Sequence, residues 1–289
     1  SGLCYPLNLY VHLEVATGSV PAYHSRRYRD HVATYLTRSV EKRFLGLAKG
    51  YDFSLSMKMA CAKARKTRDL PSILEACNRV QWGELLREAS RLYLPFWRKE
   101  ARPSLVTFQR AISTRARQVE EGASLIAALT GRRWRTPWIT VVPVYAISDV
   151  FGFGGQPIGT DLVMVGVVDP DLAIIGVLHE IAHLNLGRSI DLVASGFECE
   201  PDILAESVAN MLTGTLVKRL HLHLPVSPGT HGPDTEEYRR FLDKLEEYNE
   251  LIRPIWSKYL HMKEKDTTKL TLDGFLKERL YGFFPPKEV

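Results

Sequence analysis

The stretch VLHEIAHLNLG, residues 177–187, places two histidines and a glutamate inside an otherwise apolar segment. His179 and His183 are four residues apart, so a helix brings both imidazoles to one face, one turn from each other. Two imidazole nitrogens at that spacing can bind one Zn²⁺, and Glu180 lies on a neighbouring side of the same helix. The segment therefore predicts a metal site. The alternative is a pair of satisfied core histidines beside a surface glutamate.

A catalytic zinc needs a third protein ligand and an open position for water. One known extension of HExxH requires glycine at position 186 and histidine at position 189, where this chain has Leu186 and Ser189. The remaining common solution is a glutamate on the next predicted helix, residues 201–220. Glu206 lies well inside that helix among apolar neighbours, and a buried carboxylate needs a partner such as a metal.

Other residues of this region bear on the same site. Asn210 lies one turn beyond Glu206 and could orient a zinc-bound histidine. Three acidic residues near the helix start remain alternatives to Glu206 as the third ligand, although acids are expected there for capping alone. They are Glu198, Glu200 and Asp202.

HEIAH followed by AESVAN, residues 205–210, resembles the gluzincin clan of zinc metallopeptidases, whose pattern is HExxH with a later glutamate. Thermolysin-like enzymes, the minigluzincins and the repressor-cleaving ImmA/IrrE family share this layout. The resemblance covers roughly residues 138–220. It implies that His179, His183 and Glu206 bind Zn²⁺, that Glu180 is the general base, and that Asn210 is the residue behind the ligands.

The implied reaction is hydrolysis of a peptide or protein substrate by a zinc-bound water, with Glu180 as general base. An electrophile should stabilise the oxyanion, and the sequence does not choose among several candidates. These are His221, His223, His231, Tyr238, Tyr248 and Tyr145. An inactive or regulatory zinc-binding protein is the first alternative function, although the intact Glu180 argues against it.

The charge is distributed unevenly along the 289 residues. Residues 1–135 carry 24 Lys and Arg against 11 Asp and Glu, whereas residues 136–289 carry 14 against 22. The basic half could attract nucleic acid, which gives a second alternative function, a nucleic-acid-associated protein. No nucleic-acid motif accompanies the charge.

Composition also bears on location. No apolar run reaches the roughly 18 residues that a membrane helix needs, so we expect no membrane partner. The four cysteines form no CxxC pair, which favours a reducing, cytoplasmic setting.

The order of predicted elements indicates an α+β fold rather than alternating βα units. Residues 7–15 alternate as a strand does, and two further strands are predicted at 138–147 and 161–168. Helical patterns cover most of the remaining chain: 24–49, 54–68, 71–80, 82–94, 103–130, 172–186, 201–220, 235–262 and 272–281.

Four segments follow from this order. Residues 1–23 are an N-terminal strand joining the sheet, and residues 24–131 are a helical block. Residues 132–222 are a zincin-like catalytic core with a small twisted sheet, an active-site helix and a glutamate helix. Residues 223–289 are a C-terminal helical region.

Overall fold

A computed structural model of the chain describes residues 3–19, 26–48, 50–64, 80–147, 155–167, 169–223, 236–265 and 271–287. Within these ranges the chain is mostly helical and has one small sheet, which agrees with an α+β class. Short helical turns occur at Ala33–Tyr35, Trp97–Ala101 and Tyr145–Ile147, of which the second is a π turn.

The helices are numbered in chain order. The first seven are α1 (Tyr5–Thr17), α2 (Arg26–Val32), α3 (Arg38–Leu47), α4 (Gly50–Lys63), α5 (Val80–Phe96), α6 (Arg102–Ser113) and α7 (Ala116–Thr130). The others are α8 (Pro170–Leu186), α9 (Arg188–Ala194), α10 (Pro201–Arg219), α11 (Glu236–Lys265) and α12 (Leu272–Leu280).

The sheet consists of β1 (Thr140–Val144), β2 (Gly155–Ile158) and β3 (Leu162–Gly166), in the order β1-β3-β2. β3 pairs in parallel with β1 and antiparallel with β2. Gly159 has a left-handed backbone (φ 69°) in the turn between β2 and β3, a conformation that glycine adopts without strain. β2 was not predicted, because its sequence, GQPI, shows no alternation of polar and apolar residues.

The predicted strand over residues 7–15 is wrong, because the structure has helix α1 there. Pro6 lies in its first turn, and Gly18 ends it with a left-handed backbone and a hydrogen bond to Glu14 O. α1 is buried on all sides, so its sequence has no apolar stripe to reveal the helix. Its polar residues instead find internal partners: Asn8 contacts the backbone of Pro143, and His12 contacts Tyr28.

Two long predicted helices are each interrupted. The helix predicted over 24–49 is split into α2 and α3, because Thr37 accepts a hydrogen bond from Val40 N and caps a new helix. The helix predicted over 103–130 breaks at residues 114–115 into α6 and α7. The helix predicted over 71–80 lies outside the described residues except for its last position.

The chain forms two compact units, each built from separate segments. The described residues of unit 1 lie within 3–114 and 139–173, and those of unit 2 lie within 115–138, 174–223 and 236–287. This division does not follow the predicted boundaries. The sheet belongs to unit 1, whereas the motif part of α8 belongs to unit 2, so the predicted core 132–222 is divided between the units.

Each unit has its own interior. In unit 1, α1 is surrounded by apolar side chains of neighbouring helices and of β1. In unit 2, α10 packs against α7, α9 and α11, and α12 also packs against α7, α9 and α11. None of the helices in the described ranges is both long and apolar enough to cross a bilayer.

Candidate metal centre

Helix α8 presents the two histidines of the motif on one side. Its apolar residues, including Val177, Leu178 and Ile181, are buried, so the helix is held by its packing. Gly122 of α7 lies directly against Leu178, and a side chain at position 122 would overlap with Leu178 Cδ2. Thr130, at the end of α7, donates a hydrogen bond from Oγ1 to Asn185 Oδ1 at 2.7 Å. These contacts fix the position of the motif relative to α7.

Two histidine nitrogens and the carboxylate group of Glu206 converge between α8 and α10. His179 Nε2 lies 2.9 Å from Glu206 Oε1, and His183 Nε2 lies 3.1 Å from Glu206 Oε2. The two Nε2 atoms are 3.1 Å apart. Among the described residues, this is the group of His, Cys, Asp and Glu side chains whose arrangement could hold a metal ion.

The geometry of this group suits a tetrahedral metal ion. Ligand atoms bound to one Zn²⁺ at about 2.0–2.1 Å in a tetrahedron lie about 3.3 Å from each other. The two Nε2 atoms are 3.1 Å apart and lie 2.9 and 3.1 Å from different oxygens of Glu206, which is only slightly shorter. Without a cation, the Nε2–H groups of both histidines would have to donate to Glu206 while facing each other. A cation would instead be bound by one lone pair from each of the three side chains.

The three side chains are accessible but not fully exposed. The exposed fractions are 17% for His179, 18% for His183 and 30% for Glu206. Burial alone would raise the pKa of Glu206, but the hydrogen bonds and charges of His179 and His183 outweigh it and lower this pKa below its usual range. Glu206 is therefore ionised, which is the form that binds a metal.

The other acidic candidates do not join this group. Glu198, Glu200 and Asp202 are exposed, and Glu200 forms an ion pair with Lys244. The backbone N–H of Glu200 also donates to Tyr248 Oη at 2.9 Å. Glu206 is thus the carboxylate that the fold places beside His179 and His183.

Comparison of the chain with profiles of known protein families, with curated proteins and with solved structures gave no match.

Glu180 is buried beside the candidate ligands, with 7% of its surface exposed. It is not the surface glutamate of the core-histidine interpretation. Burial raises the pKa of Glu180 to about 8, the positive charge of His183 opposes this rise, and the negative charge of Glu206 adds to it. Within the described part of the chain, no hydrogen bond occupies its carboxyl group.

The residue that contacts the outer ring nitrogen of His179 is Thr213, not Asn210. Thr213 Oγ1 lies 3.4 Å from His179 Nδ1, the ring nitrogen that faces away from the ligand group. Asn210 makes no hydrogen bond with any residue that the structure describes. Thr213 lies seven residues beyond Glu206, close to two helical turns, so both side chains share one face of α10. That spacing was the sequence signal that could have identified Thr213.

The residues proposed to stabilise the oxyanion differ in where the structure places them. Burial raises the pKa of Tyr238, and the negative charge of Glu206 raises it further. This phenol therefore lies within electrostatic range of the site. Tyr248 is engaged with Glu200, and His221 and His223 are exposed near the end of α10. Tyr145 belongs to unit 1. His231 lies outside the described residues.

Proposed function

We propose that this protein is a zinc-dependent metallopeptidase that cleaves peptide bonds of a peptide or protein substrate. The observation that carries the proposal is the convergence of His179, His183 and Glu206 beside a buried Glu180. Three protein ligands leave a fourth position for water, which distinguishes catalytic zinc sites from closed structural ones. The gluzincin resemblance of HEIAH and AESVAN supports the same assignment.

Each residue then has a defined task. His179, His183 and Glu206 would hold the metal, which when bound supplies a Lewis acid and an activated water. In the tautomer that would bind the metal through Nε2, His179 carries its hydrogen on Nδ1. Thr213 Oγ1, 3.4 Å away, would accept that hydrogen and keep the Nε2 lone pair directed at the ligand group. Tyr238 is the residue we assign to the oxyanion, on the basis of its electrostatic coupling to Glu206.

Glu180 carries the proton transfer. A general base accepts a proton from the attacking water and later returns it to the leaving amine, so it must hold a proton for part of the cycle. Burial raises the pKa of Glu180 to about 8, which favours keeping a proton once it has been accepted. A cation held by the neighbouring ligands would oppose this rise and favour the ionised form that accepts the proton. No hydrogen bond within the described residues has to be broken for this exchange.

The test is metal content measured by plasma mass spectrometry on protein purified without added metal. We expect about one zinc per chain in the wild type. Glu206→Ala should lose most of it because a three-ligand site is reduced to two. Glu200→Ala is the matched control, since it removes an exposed carboxylate at the start of the helix that carries Glu206 and should keep the metal.

A second variant separates metal binding from catalysis. Glu180→Gln should retain zinc and lose peptidase activity by about 10²- to 10⁴-fold, measured with a fluorogenic peptide library. Zinc binding with no activity in the wild type would favour the regulatory zinc-binding alternative. A wild type that takes up no zinc even when it is offered would overturn the proposal.

A further inference from the structure

A row of arginines follows the exposed side of the longest continuous helical stretch in unit 1. α5, the π turn and α6 run without a break from residue 80 to 113. Exposed arginines recur along it at intervals of four to eight residues, close to one or two turns. They are Arg87, Arg91, Arg98, Arg102 and Arg110, and we call them the arginine ridge. At 1.5 Å per residue the ridge is about 35 Å long.

The ridge is not neutralised by neighbouring acids. Glu88 and Glu100 lie on the same helical stretch, but Glu88 pairs with Arg43 of α3 and Glu100 pairs with His31 of α2. None of the five ridge arginines forms an ion pair with a residue that the structure describes. Glu84, at the N-terminal end of the face, is exposed.

Like charges are neighbours along the ridge. Arg87 and Arg91 are four residues apart, as are Arg98 and Arg102, and like charges at that spacing destabilise a helix. An external anion would convert this repulsion into attraction.

The composition of the face indicates which anion. The other exposed positions of this stretch between Arg91 and Arg110 are Pro95, Lys99, Pro103 and Thr107. The aromatic residues Tyr93, Phe96, Trp97 and Phe108 are all buried in unit 1. A helix that binds a membrane surface inserts apolar side chains, and a protein interface has aromatic or apolar anchors at its centre. The ridge has neither.

The same composition separates duplex from single-stranded nucleic acid. Proteins that bind single strands stack bases on exposed aromatic rings, which this face lacks. Guanidinium groups form bidentate hydrogen bonds with phosphate, and regularly spaced phosphates are what a duplex backbone presents. Contacts of this kind position a protein without reading bases.

We propose that the arginine ridge binds the phosphate backbone of a nucleic-acid duplex, independently of base sequence. The binding lies in unit 1 and does not depend on the metallopeptidase assignment for unit 2. Five phosphate contacts imply a slope of log affinity against log salt of about −4.5, since each contributes about −0.9.

The experiment measures fluorescence anisotropy of a labelled DNA duplex of about two helical turns with the full chain, over a range of salt concentrations from about 50 mM upwards. The test variant is R87Q/R91Q/R98Q/R102Q. It should weaken duplex binding about tenfold or more and reduce the salt slope by about 3 to 4.

A matched control removes four exposed cations from unit 2, K218Q/R253Q/K258Q/K277Q. It changes the net charge by the same amount and should leave the affinity and slope close to those of the wild type. Circular dichroism melting checks that both variants fold. If the test variant does not fold, Arg91→Gln alone should lower the slope by about one.

Three results would overturn the proposal. One is a wild type without measurable duplex binding at low salt. Another is an equal loss in test and control variants, because affinity would then follow net charge alone. The third is tighter binding to a single strand of the same length, or to vesicles of phosphatidylserine, than to the duplex.

Discussion

The histidines that the structure describes in detail have opposite surroundings in the two units. His12 is 1% exposed, its Nδ1 lies 2.7 Å from Tyr28 Oη, and its ring lies against Tyr93. His179 and His183 are partly exposed, and their Nε2 atoms face each other and a carboxylate. The first is a core histidine whose charged form is excluded, and the other two direct ring nitrogens at one carboxylate group.

The burial of His12 predicts a pH dependence of stability. Burial lowers the pKa of His12 to about 3, whereas an unfolded histidine titrates near 6.5. Between these values the unfolded state binds more protons than the folded state, so stability is fully present above pH 6.5 and is lost as the pH falls. The expected loss approaches about 1.4 kcal/mol per pH unit in the middle of this window.

The measurement is the free energy of unfolding by chemical denaturation at several pH values, for the wild type and for His12→Gln. The variant is neutral throughout, so its stability should fall less steeply with decreasing pH, even if it is lower at pH 7. Parallel curves for the two proteins would contradict the prediction.

A second residue prediction concerns Thr213. Thr213→Val removes the hydroxyl that faces His179 Nδ1 and keeps the shape of the side chain, so it should weaken zinc binding by about 10- to 100-fold. Thr213→Ser keeps the hydroxyl and should bind nearly as tightly as the wild type. Competition with a chromophoric chelator measures the zinc affinity, and the absorption spectrum of the Co²⁺-loaded protein reports ligand geometry. Equal affinities for the valine and serine variants would remove the orienting role.

At the scale of elements, the close approach of α7 and α8 determines where the motif lies. Gly122 is in the interior of α7, and the absence of a side chain allows Leu178 of α8 to fill the space. Leu178 is fully buried and directly precedes His179, so it has little freedom to move aside.

Gly122→Ala should therefore destabilise the protein. The added methyl group overlaps with Leu178, and overpacking costs about 1–3 kcal/mol, more than the gain in helix propensity of about 1 kcal/mol. The matched control is Gly214→Ala in α10, where nothing lies within 4 Å of the new methyl group, so stability should rise. Denaturant unfolding compares the three proteins. A Gly122→Ala variant at least as stable as the wild type would show that α7 and α8 separate at little cost.

At the scale of the whole molecule, two different kinds of chemistry lie in two separate compact units. The candidate metal centre is built from residues of unit 2, and the arginine ridge from residues of unit 1. Unit 1 also contains the buried pair of Glu14 and Lys58, whose carboxylate and ammonium atoms are 3.0 Å apart. Both side chains are buried, and Lys58 Nζ also donates to Gln156 Oε1 at 3.0 Å, so the pair lies in the interior of its unit. Removing one partner of such a pair is strongly destabilising.

Zinc should stabilise unit 2 selectively. A ligand present at about 100 times its Kd stabilises the folded state that binds it by about 2.7 kcal/mol. Amide hydrogen exchange, read by mass spectrometry with zinc and with a chelator, should show zinc-dependent protection in the motif part of α8 and in α10. Peptides from α1 should exchange at the same rate in both conditions.

Glu206→Ala is the control, since it should abolish the zinc-dependent protection. Equal protection of α1 and α10 by zinc would contradict a site confined to unit 2.

Much of the secondary structure and the central group of the site follow from local pattern. The motif helix, the helix of Glu206 and the strands β1 and β3 lie where periodicity and composition predict them. The relation of His179 to His183 is a property of four consecutive helical positions, so spacing alone reveals it. Glu206 could be chosen over its rivals because acids at a helix start have another explanation, whereas a carboxylate inside an apolar helix does not.

Local periodicity and spacing in the sequence do not reveal contacts between distant segments. Helix α1 was mistaken for a strand, since burial on every side removes the apolar stripe that identifies a surface helix. The division into two units and the pairing of Gly122 with Leu178 both join residues far apart in the chain. Such contacts depend on how side chains fill the interior, which the packing of the folded chain determines and local spacing does not encode.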